Sequence, residues 1–402
     1  MNYDVAVVGG GMTGATLACA LAKAGLRVAV IEASEPPPAP GGEWQLRVSA
    51  ISRASESILR AIDVWDGLPL ERAGVFREMR VWDATGSGSV HFDSADIGTD
   101  ALGHIVENTV IQRGLDARMA SLDSLALFRP EVLQDLQVER DRVTLQLGGS
   151  QLHARLVVAA DGGRSRVREL VGIQCDVGDY GQQAVVATVR TESWHRETAW
   201  QRFLPDGPLA FLPLPGNFCS IVWSTSPEHA QALLEQSDED FAAAVEEAFE
   251  SRLGRLESVG RRGAFPLRHL HAREYVAERV ALVGDAAHTL HPLAGQGANL
   301  GLQDAAALAE ILYATWIRDR DLGRRANLRP YERWRKGRNL LMQQGMSGFQ
   351  WLFGSRLEPV RLARNLGLSM VDRSPPLKRL FMRYASGFGG DRPRMARARP
   401  WP

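Results

Sequence analysis

Cysteine is scarce in this chain. Cys19, Cys175 and Cys219 are the full set, widely spaced and odd in number. A disulfide framework is therefore excluded, no metal-ligand spacing is present, and a reducing cytosol fits. Long apolar runs are missing too. No stretch of about 18 apolar residues occurs, so nothing reads as a membrane-spanning helix. Met1 leads straight into a strand-like run, so no signal peptide is expected. There are no internal repeats, no low-complexity segments and no nucleic-acid-binding motif. Nucleic acid is accordingly not an expected partner.

What the chain does have is length and an ordinary soluble composition. Its 402 residues, 45% hydrophobic and 23% charged, can bury a large core in two lobes. The formal net charge is zero, but it is unevenly spread. From Arg318 onward 20 Lys/Arg face 6 Asp/Glu, whereas the first 317 residues carry 27 against 41. A basic tail on an acidic body points to an anionic surface as partner, either lipid or another protein.

Tyr3-Asp4-Val5-Ala6-Val7-Val8 is a nearly continuous apolar run ending in glycines, as a buried parallel strand should be. Met12 to Ala24 reads as a helix, with Leu17, Ala18, Leu21 and Ala22 on its apolar face and Gly25 as its stop. Arg27 to Glu32 is the next strand, which completes a β-α-β unit. Ser34 to Gly42 is a Pro/Gly loop. Arg47 to Ile62 reads as helix, Glu78 to Phe92 as strands of a second lobe, and Val106 to Leu127 as helix. Short strands follow in Leu133 to Leu147, then a buried one in Leu152 to Ala160. Ala184 to Thr188, Ala199 to Phe203, Ala210 to Leu214 and Phe218 to Trp223 predict an antiparallel sheet. Asp238 to Leu253 reads as helix, Arg279 to Val283 as strand, and residues 299–355 as mostly helix.

Three motifs end strands. In Gly9-x-Gly11-x-x-Gly14, Gly9 permits a tight turn, Gly11 lets the backbone approach a pyrophosphate, and Gly14 lets helix pack on strand. Met12 and Thr13 open that helix, whose free N–H groups and dipole favour an anion. Glu32 stands at the end of the second strand, where a carboxylate can accept ribose hydroxyls. Taken alone, this could be any α/β glycine turn. The second motif is Asp161-Gly162-Gly163-Arg164-Ser165-Arg166-Val167-Arg168, its carboxylate at the ligand edge of a parallel sheet. The third is Gly284-Asp285-Ala286-Ala287-His288. Asp285 is placed to accept ribityl hydroxyls there. Gly295, Gly297, Ala298, Asn299 and Gly301 open a helix aimed at the flavin N1–C2=O edge. Together the three argue for one FAD. His288 and His291 lack a third ligand, so no metal is expected, and His269 and His271 read as strand or loop residues.

At this point the chain resembles the class A flavoprotein monooxygenases of the para-hydroxybenzoate hydroxylase fold. Gly284 to Gly301 is similar to the signature of the ubiquinone-biosynthesis hydroxylases within that group. Arg47 to Ser52, Val106 to Gln112, Trp200 to Pro208 and Asn365 to Leu368 support the resemblance, which runs from about residue 3 to about 388.

The implied fold is α/β: a Rossmann-like FAD domain (1–75, 101–175, 275–325), an inserted antiparallel-sheet substrate domain (76–100, 176–274), and a basic helical C-terminal region (326–402). The resemblance implies that Gly9, Gly11, Gly14, Glu32, Arg47, Asp161 and Asp285 hold FAD, with Gln112 as a further contact and Pro292 beside the substrate ring. The single glycine fingerprint leaves NAD(P)H to bind transiently as donor. The implied reaction uses O2 to hydroxylate a polyprenylated ring, nearest to 2-polyprenyl-3-methyl-6-methoxy-1,4-benzoquinol. A polyprenylphenol or methoxyphenol is the alternative substrate, and a non-catalytic flavoprotein subunit the alternative role. His291 is the candidate weak base. The tail places Leu341, Phe349 and Phe353, then Leu377, Leu380, Phe381 and Tyr384, at helical spacing with interleaved arginines. Such helices pack on the body or on other ubiquinone-biosynthesis proteins, or form a basic surface that meets lipid. The expected location is cytoplasmic, peripheral to the inner membrane.

Overall fold

The N-terminal run has no polar face to offer water, so it must be covered on both sides. It forms the strand Asn2–Val8, with Val5, Ala6 and Val7 fully buried. The computed structural model describes residues 2–290, 296–355 and 357–402. There the strand pairs in parallel with Val28–Ile31 on one side and Gln151–Ala159 on the other. Leu125–Phe128 extends the first flank and Val280–Leu282 the second, both parallel. The three motifs therefore leave the carboxyl ends of three adjacent strands. That edge is where an open α/β sheet carries its ligand crevice.

The helix Met12–Lys23 returns across this sheet on its apolar face, with Leu17, Ala18, Cys19 and Leu21 fully buried. Cys19 is a core residue, and burial pushes its thiol up to about 12, which leaves it unreactive at neutral pH. Trp401 pins the C-terminal segment to the same helix by donating from Nε1 to the Ala20 carbonyl at 2.8 Å.

Among the described residues a second sheet has eight strands. Its two longest strands, Cys175–Thr191 and Leu256–Ala272, are joined antiparallel near one edge. Phe218–Thr225, Gly207–Pro213 and Thr198–Leu204 follow, then Glu78–Asp83 and Ser89–Asp93. The helices Pro227–Glu235 and Asp238–Ala248 cover one face, where Leu233, Phe241 and Val245 pack on Val185, Phe211 and Ile221. A small third sheet joins Val48–Ser52, Gly103–Glu107 and Ala73–Phe76. The third motif bridges the two large sheets. Val280–Leu282 belongs to the first, and His288–Thr289 pairs with Leu270 and His271 at the edge of the second.

Several segments differ from the sequence expectation. Arg47 to Ile62 is not one helix. Val48–Ser52 is a strand, because Gly103–Glu107 pairs with it antiparallel. Ser52 then caps the helix Arg53–Ala61 by accepting from the Ser55 N–H. Val106 lies in a strand, the helix that follows is Asn108–Ala120, and Leu125–Phe128 has joined the parallel sheet. The long strand Leu256–Ala272 was not anticipated, since Gly260, Gly263 and Pro266 interrupt its alternation. The helix Pro227–Glu235 was missed as well, although Ser226 and Pro227 are ordinary start signals.

Three helices complete the chain: Arg325–Gly354, Glu358–Arg373 and Pro375–Ala385. Arg364 is not a surface cation as its basic neighbours suggested. Its Nε donates to Asp83 Oδ2 at 2.7 Å and its Nη1 to the Phe353 carbonyl at 2.7 Å. Both side chains of that pair are at most 2% exposed. Asn365 joins them, accepting from the Gly88 N–H at 2.6 Å. The tail is thus clamped to the hairpin at residues 83–89 of the second sheet. Asp83→Ala leaves a guanidinium buried without its counter-charge, at an expected cost of about 3–5 kcal/mol. Denaturant unfolding should read that loss, and trypsin should cleave the tail sooner than in the wild type.

Candidate functional site

Gly9 takes φ +100°, a conformation open to glycine and strained for other residues. A Cβ on Gly14 would stand 1.9 Å from the Gly9 carbonyl oxygen. These two glycines are demanded by the fold. Gly11 differs: a Cβ there would meet no atom within 4 Å among the described residues. Gly11 is also the N-cap of the first helix, which has no side-chain cap and no acidic residue in its first turn. Its leading N–H groups and positive dipole end therefore remain available for an anion.

The rest of the first motif is braced around that turn. Glu32 accepts from the Gly10 N–H at 2.6 Å and the Ser34 N–H at 2.7 Å. Gln112 donates to the Gly10 carbonyl at 2.7 Å and to Asp116 at 2.9 Å. Thr13 is where the first and third motifs touch. A Cβ on Gly284 would lie 3.0 Å from Thr13 Oγ1, and one on Gly301 only 2.4 Å away. Those glycines allow the two segments to approach. Met12 is partly buried against the core of the first sheet.

Asp161 uses one carboxylate oxygen for the fold. Oδ2 accepts from the Arg166 and Val167 N–H groups at 2.7 and 3.1 Å. Oδ1 is buried and has no partner among the described residues. A buried carboxylate oxygen without a donor is costly unless a ligand supplies one. Gly162 makes the turn at φ +81°. Arg164 is exposed. Arg168, by contrast, is buried and donates to the Gly163 and Ala286 carbonyls at 2.7 and 2.8 Å. It stitches the second motif to the third.

The third motif is anchored from beneath. His288 Nε2 lies 2.5 Å from Asp304 Oδ2, and the Gly284 N–H donates to the same oxygen at 3.2 Å. Arg335 Nε donates to Asp304 Oδ1 at 2.6 Å, and Asn339 donates to it at 3.1 Å. Asp304, Arg335 and Asn339 are fully buried. Burial alone would raise the Asp304 carboxyl. The charges of His288 and Arg335, with their hydrogen bonds, outweigh that and hold it well below the carboxylate range. Sequence reading missed Asp304 and Arg335 as site residues. Asp304 left a signal, because a lone carboxylate in the apolar stretch Leu300 to Leu308 cannot be buried unpaired.

Asp285, one residue past Gly284, is solvent-exposed. Protein crowding on its flanks still holds its carboxyl above the usual value, against the pull of His288 and Arg47. The Arg47 guanidinium lies 5.4 Å from the centroid of Phe265 on the second sheet. Asn299 bridges to the small sheet, accepting from the Ser52 N–H at 2.9 Å and donating to the Ala50 carbonyl at 2.8 Å. Gly297 and Ala298 are partly exposed at the start of the helix Gln296–Trp316. His291, Pro292 and Gly295 lie outside the described residues.

The crevice thus presents an uncapped helix end, carboxylates on two strand ends and an unpartnered carboxylate oxygen. That donor set suits a dinucleotide with polyol hydroxyls. The Asp304 hub beneath it gives a pH signature. Its folded carboxyl lies below the unfolded value of about 4, so its stabilisation is complete above that value and fades as pH falls below it. Between about pH 5 and pH 2 the wild type should lose more stability in thermal unfolding than Asp304→Ala. At neutral pH, Asp304→Ala should be the less stable by about 3–5 kcal/mol.

Comparison with known proteins agrees with this geometry. The FAD binding domain family matches residues 2–339. Ubiquinone hydroxylase UbiL of Rhodospirillum rubrum is 41% identical over 401 residues, covering 99% of this chain and 93% of that one. The 3-demethoxyubiquinol 3-hydroxylase of Escherichia coli is 40% identical over 386 residues, covering 96% and 98%. The p-nitrophenol 4-monooxygenase PnpA of Pseudomonas putida shares the fold, with a TM-score of 0.79 at 20% identity over 97% of this chain and 99% of that one. The chain is a member of the FAD-dependent aromatic monooxygenases, in the family that holds the ubiquinone hydroxylases.

Proposed function

We propose that this enzyme hydroxylates the ring of a polyprenylated benzoquinol on the route to ubiquinone, with 2-polyprenyl-3-methyl-6-methoxy-1,4-benzoquinol as substrate. The observation that carries the reading is 40% identity, over nearly the whole of both chains, to a 3-demethoxyubiquinol 3-hydroxylase. The equal likeness to an enzyme named only as a ubiquinone hydroxylase supports a second reading, hydroxylation of a polyprenylphenol or methoxyphenol at another ring position.

Bound FAD, reduced by NAD(P)H, supplies oxygen activation and transfer to an electron-rich ring. The chain's own residues hold and orient it. Gly9, Gly11 and the leading N–H groups of the first helix take the pyrophosphate, and Glu32 takes the adenosine ribose. Asp161, through Oδ1, and Asp285 accept ribityl hydroxyls. Arg47 supplies a cation beside Asp285. Gly297, Ala298 and Asn299 direct a helix start at the flavin ring, where Pro292 adjoins the substrate and His291 accepts its proton. The assignments 1–75, 101–175 and 275–325 for the FAD domain, 76–100 and 176–274 for the substrate domain, and 326–402 for the tail belong to the same reading.

A peripheral location at the cytoplasmic face of a membrane is supported by the tail. On Glu358–Arg373, Leu362, Leu366 and Met370 are each at least 64% exposed. On Pro375–Ala385, Leu377, Leu380, Phe381 and Tyr384 share one face at helical spacing and are also exposed. Such stripes beside arginines suit an anionic bilayer, which also holds a polyprenyl substrate.

Two experiments test the catalytic reading. FAD-loaded enzyme, NADH or NADPH, a short-chain demethoxyquinol and isotopically labelled oxygen should yield product carrying one labelled ring oxygen. Label appearing only with the phenol analogue selects the second reading, and no label in either product defeats both. For the cofactor roles, Gly11→Val should fold like the wild type yet bind FAD at least about tenfold more weakly. Gly14→Val should fail to fold. Circular dichroism and flavin titration separate the two.

A further inference from the structure

We infer that the basic cavity beside the last long helix is a binding site for the phosphate of an anionic lipid headgroup. The inference rests on the bilayer reading of the tail and assigns it a specific contact. The cavity, about 610 Å³, opens between the turn at Asp96 to Thr99, the helix Pro375–Ala385 and the segment after it. Arg379, Arg383, Arg392 and Asp96 are among its lining residues.

Most arginines of this chain are committed to carboxylates or carbonyls, as Arg335 and Arg364 are. Arg379 and Arg383 differ. Among the described residues neither guanidinium has a hydrogen bond or ion pair, and both residues are exposed. Among the described residues the Arg392 guanidinium has the Phe388 ring as its neighbour, 5.0 Å away, and no carboxylate. Burial lowers the Arg392 pKa, and the charges of Arg397 and Arg383 lower it further. Like charges are therefore held together with too little counter-charge. Asp391 does not relieve them, since its carboxylate pairs with Arg397 and its carbonyl with Arg338. Asp96 is the one carboxylate among the described residues that line the cavity, against three guanidiniums. An arriving phosphate removes that repulsion and accepts from planar forks suited to its geometry.

The position selects lipid over a soluble anion. Arg379 and Arg383 sit one turn apart on the helix whose neighbouring face carries Leu377, Leu380, Phe381 and Tyr384. With that face in the acyl boundary, the two arginines lie at headgroup depth. The surplus of 20 basic over 6 acidic residues from Arg318 onward attracts an anionic membrane from a distance.

The test is flotation of the full-length, FAD-loaded protein with vesicles of phosphatidylcholine, with and without phosphatidylglycerol. The site variant is Arg379→Gln, Arg383→Gln, Arg392→Gln. A charge-matched control is Arg140→Gln, Arg255→Gln, Arg261→Gln, on exposed positions elsewhere. At about fivefold per guanidinium, the site variant should lose well over tenfold in affinity for the anionic vesicles while the control stays near wild type. Equal losses in both triples, or none in the site variant, would overturn the headgroup site and leave the bilayer reading standing. Failure of the wild type to bind either vesicle would overturn both. Thermal stabilisation by inorganic phosphate, abolished in the site variant and without vesicle binding, would reassign the cavity to a soluble phosphate and reject lipid. Flavin content and NAD(P)H oxidation should match wild type in the site variant.

Discussion

Asp304 carries more of this architecture than any other side chain. It sits fully buried at the crossing of four segments: the Gly284 turn, His288, its own helix and the helix that bears Arg335 and Asn339. A carboxylate in that position is tolerable only with every partner in place. The third motif is therefore held in a single arrangement, with Asp285 carried toward solvent on the opposite side of the turn. Placement of the carboxylate proposed to hold the cofactor rests on a buried charge network beneath it. The same logic recurs at Arg168, whose buried guanidinium ties the Gly163 carbonyl to the Ala286 carbonyl.

The glycines divide along the same line. Gly9 and Gly14 are required by the backbone, through a positive φ and a 1.9 Å approach. Gly284 and Gly301 make room for Thr13, so two helices and a turn meet closely. Gly11 alone of these faces open space within the described residues. A motif that reads as one pattern thus mixes residues that shape the crevice with one that leaves it clear. The unpartnered Asp161 Oδ1 marks the opposite case, a polar atom that the fold buries and does not satisfy.

The tail is two-faced for physical reasons. Arg364, Asn365 and Phe353 lock one side to the hairpin of the second sheet. What remains outside, from Leu362 to Tyr384, includes seven large apolar side chains and the arginines Arg373, Arg379 and Arg383. Exposed side chains of that size in a continuous tract call for a covering surface. Their arginine neighbours without carboxylates are what the proposed anionic surface would meet.

Much was legible in the residues themselves. The order of the three motifs, the apolar strands that end in them and the first helix all follow from local chemistry: runs with no polar face, glycines at turns, and a period of 3.6. The FAD-binding character was readable for the same reason, since short patterns on strand ends encode it, and the aromatic monooxygenase family came from the resemblance those patterns carry. Other features depend on partners far apart in the chain, and no local pattern carries them. The strand Val48–Ser52 looked helical until Gly103–Glu107 paired with it. Leu256–Ala272 is a strand because Cys175–Thr191 supplies its ladder. Arg364 looked like one more surface cation until Asp83, 281 positions away, buried it. Asp304 announced only that it needed a partner; the fold decided that the partners are His288 and Arg335. Sequence by itself determined which strands end in glycine-rich turns, because backbone geometry and burial are local demands. Tertiary structure alone decided which charges are buried and paired and which stay free, because a charge is stabilised by whatever the fold brings within a few ångströms of it.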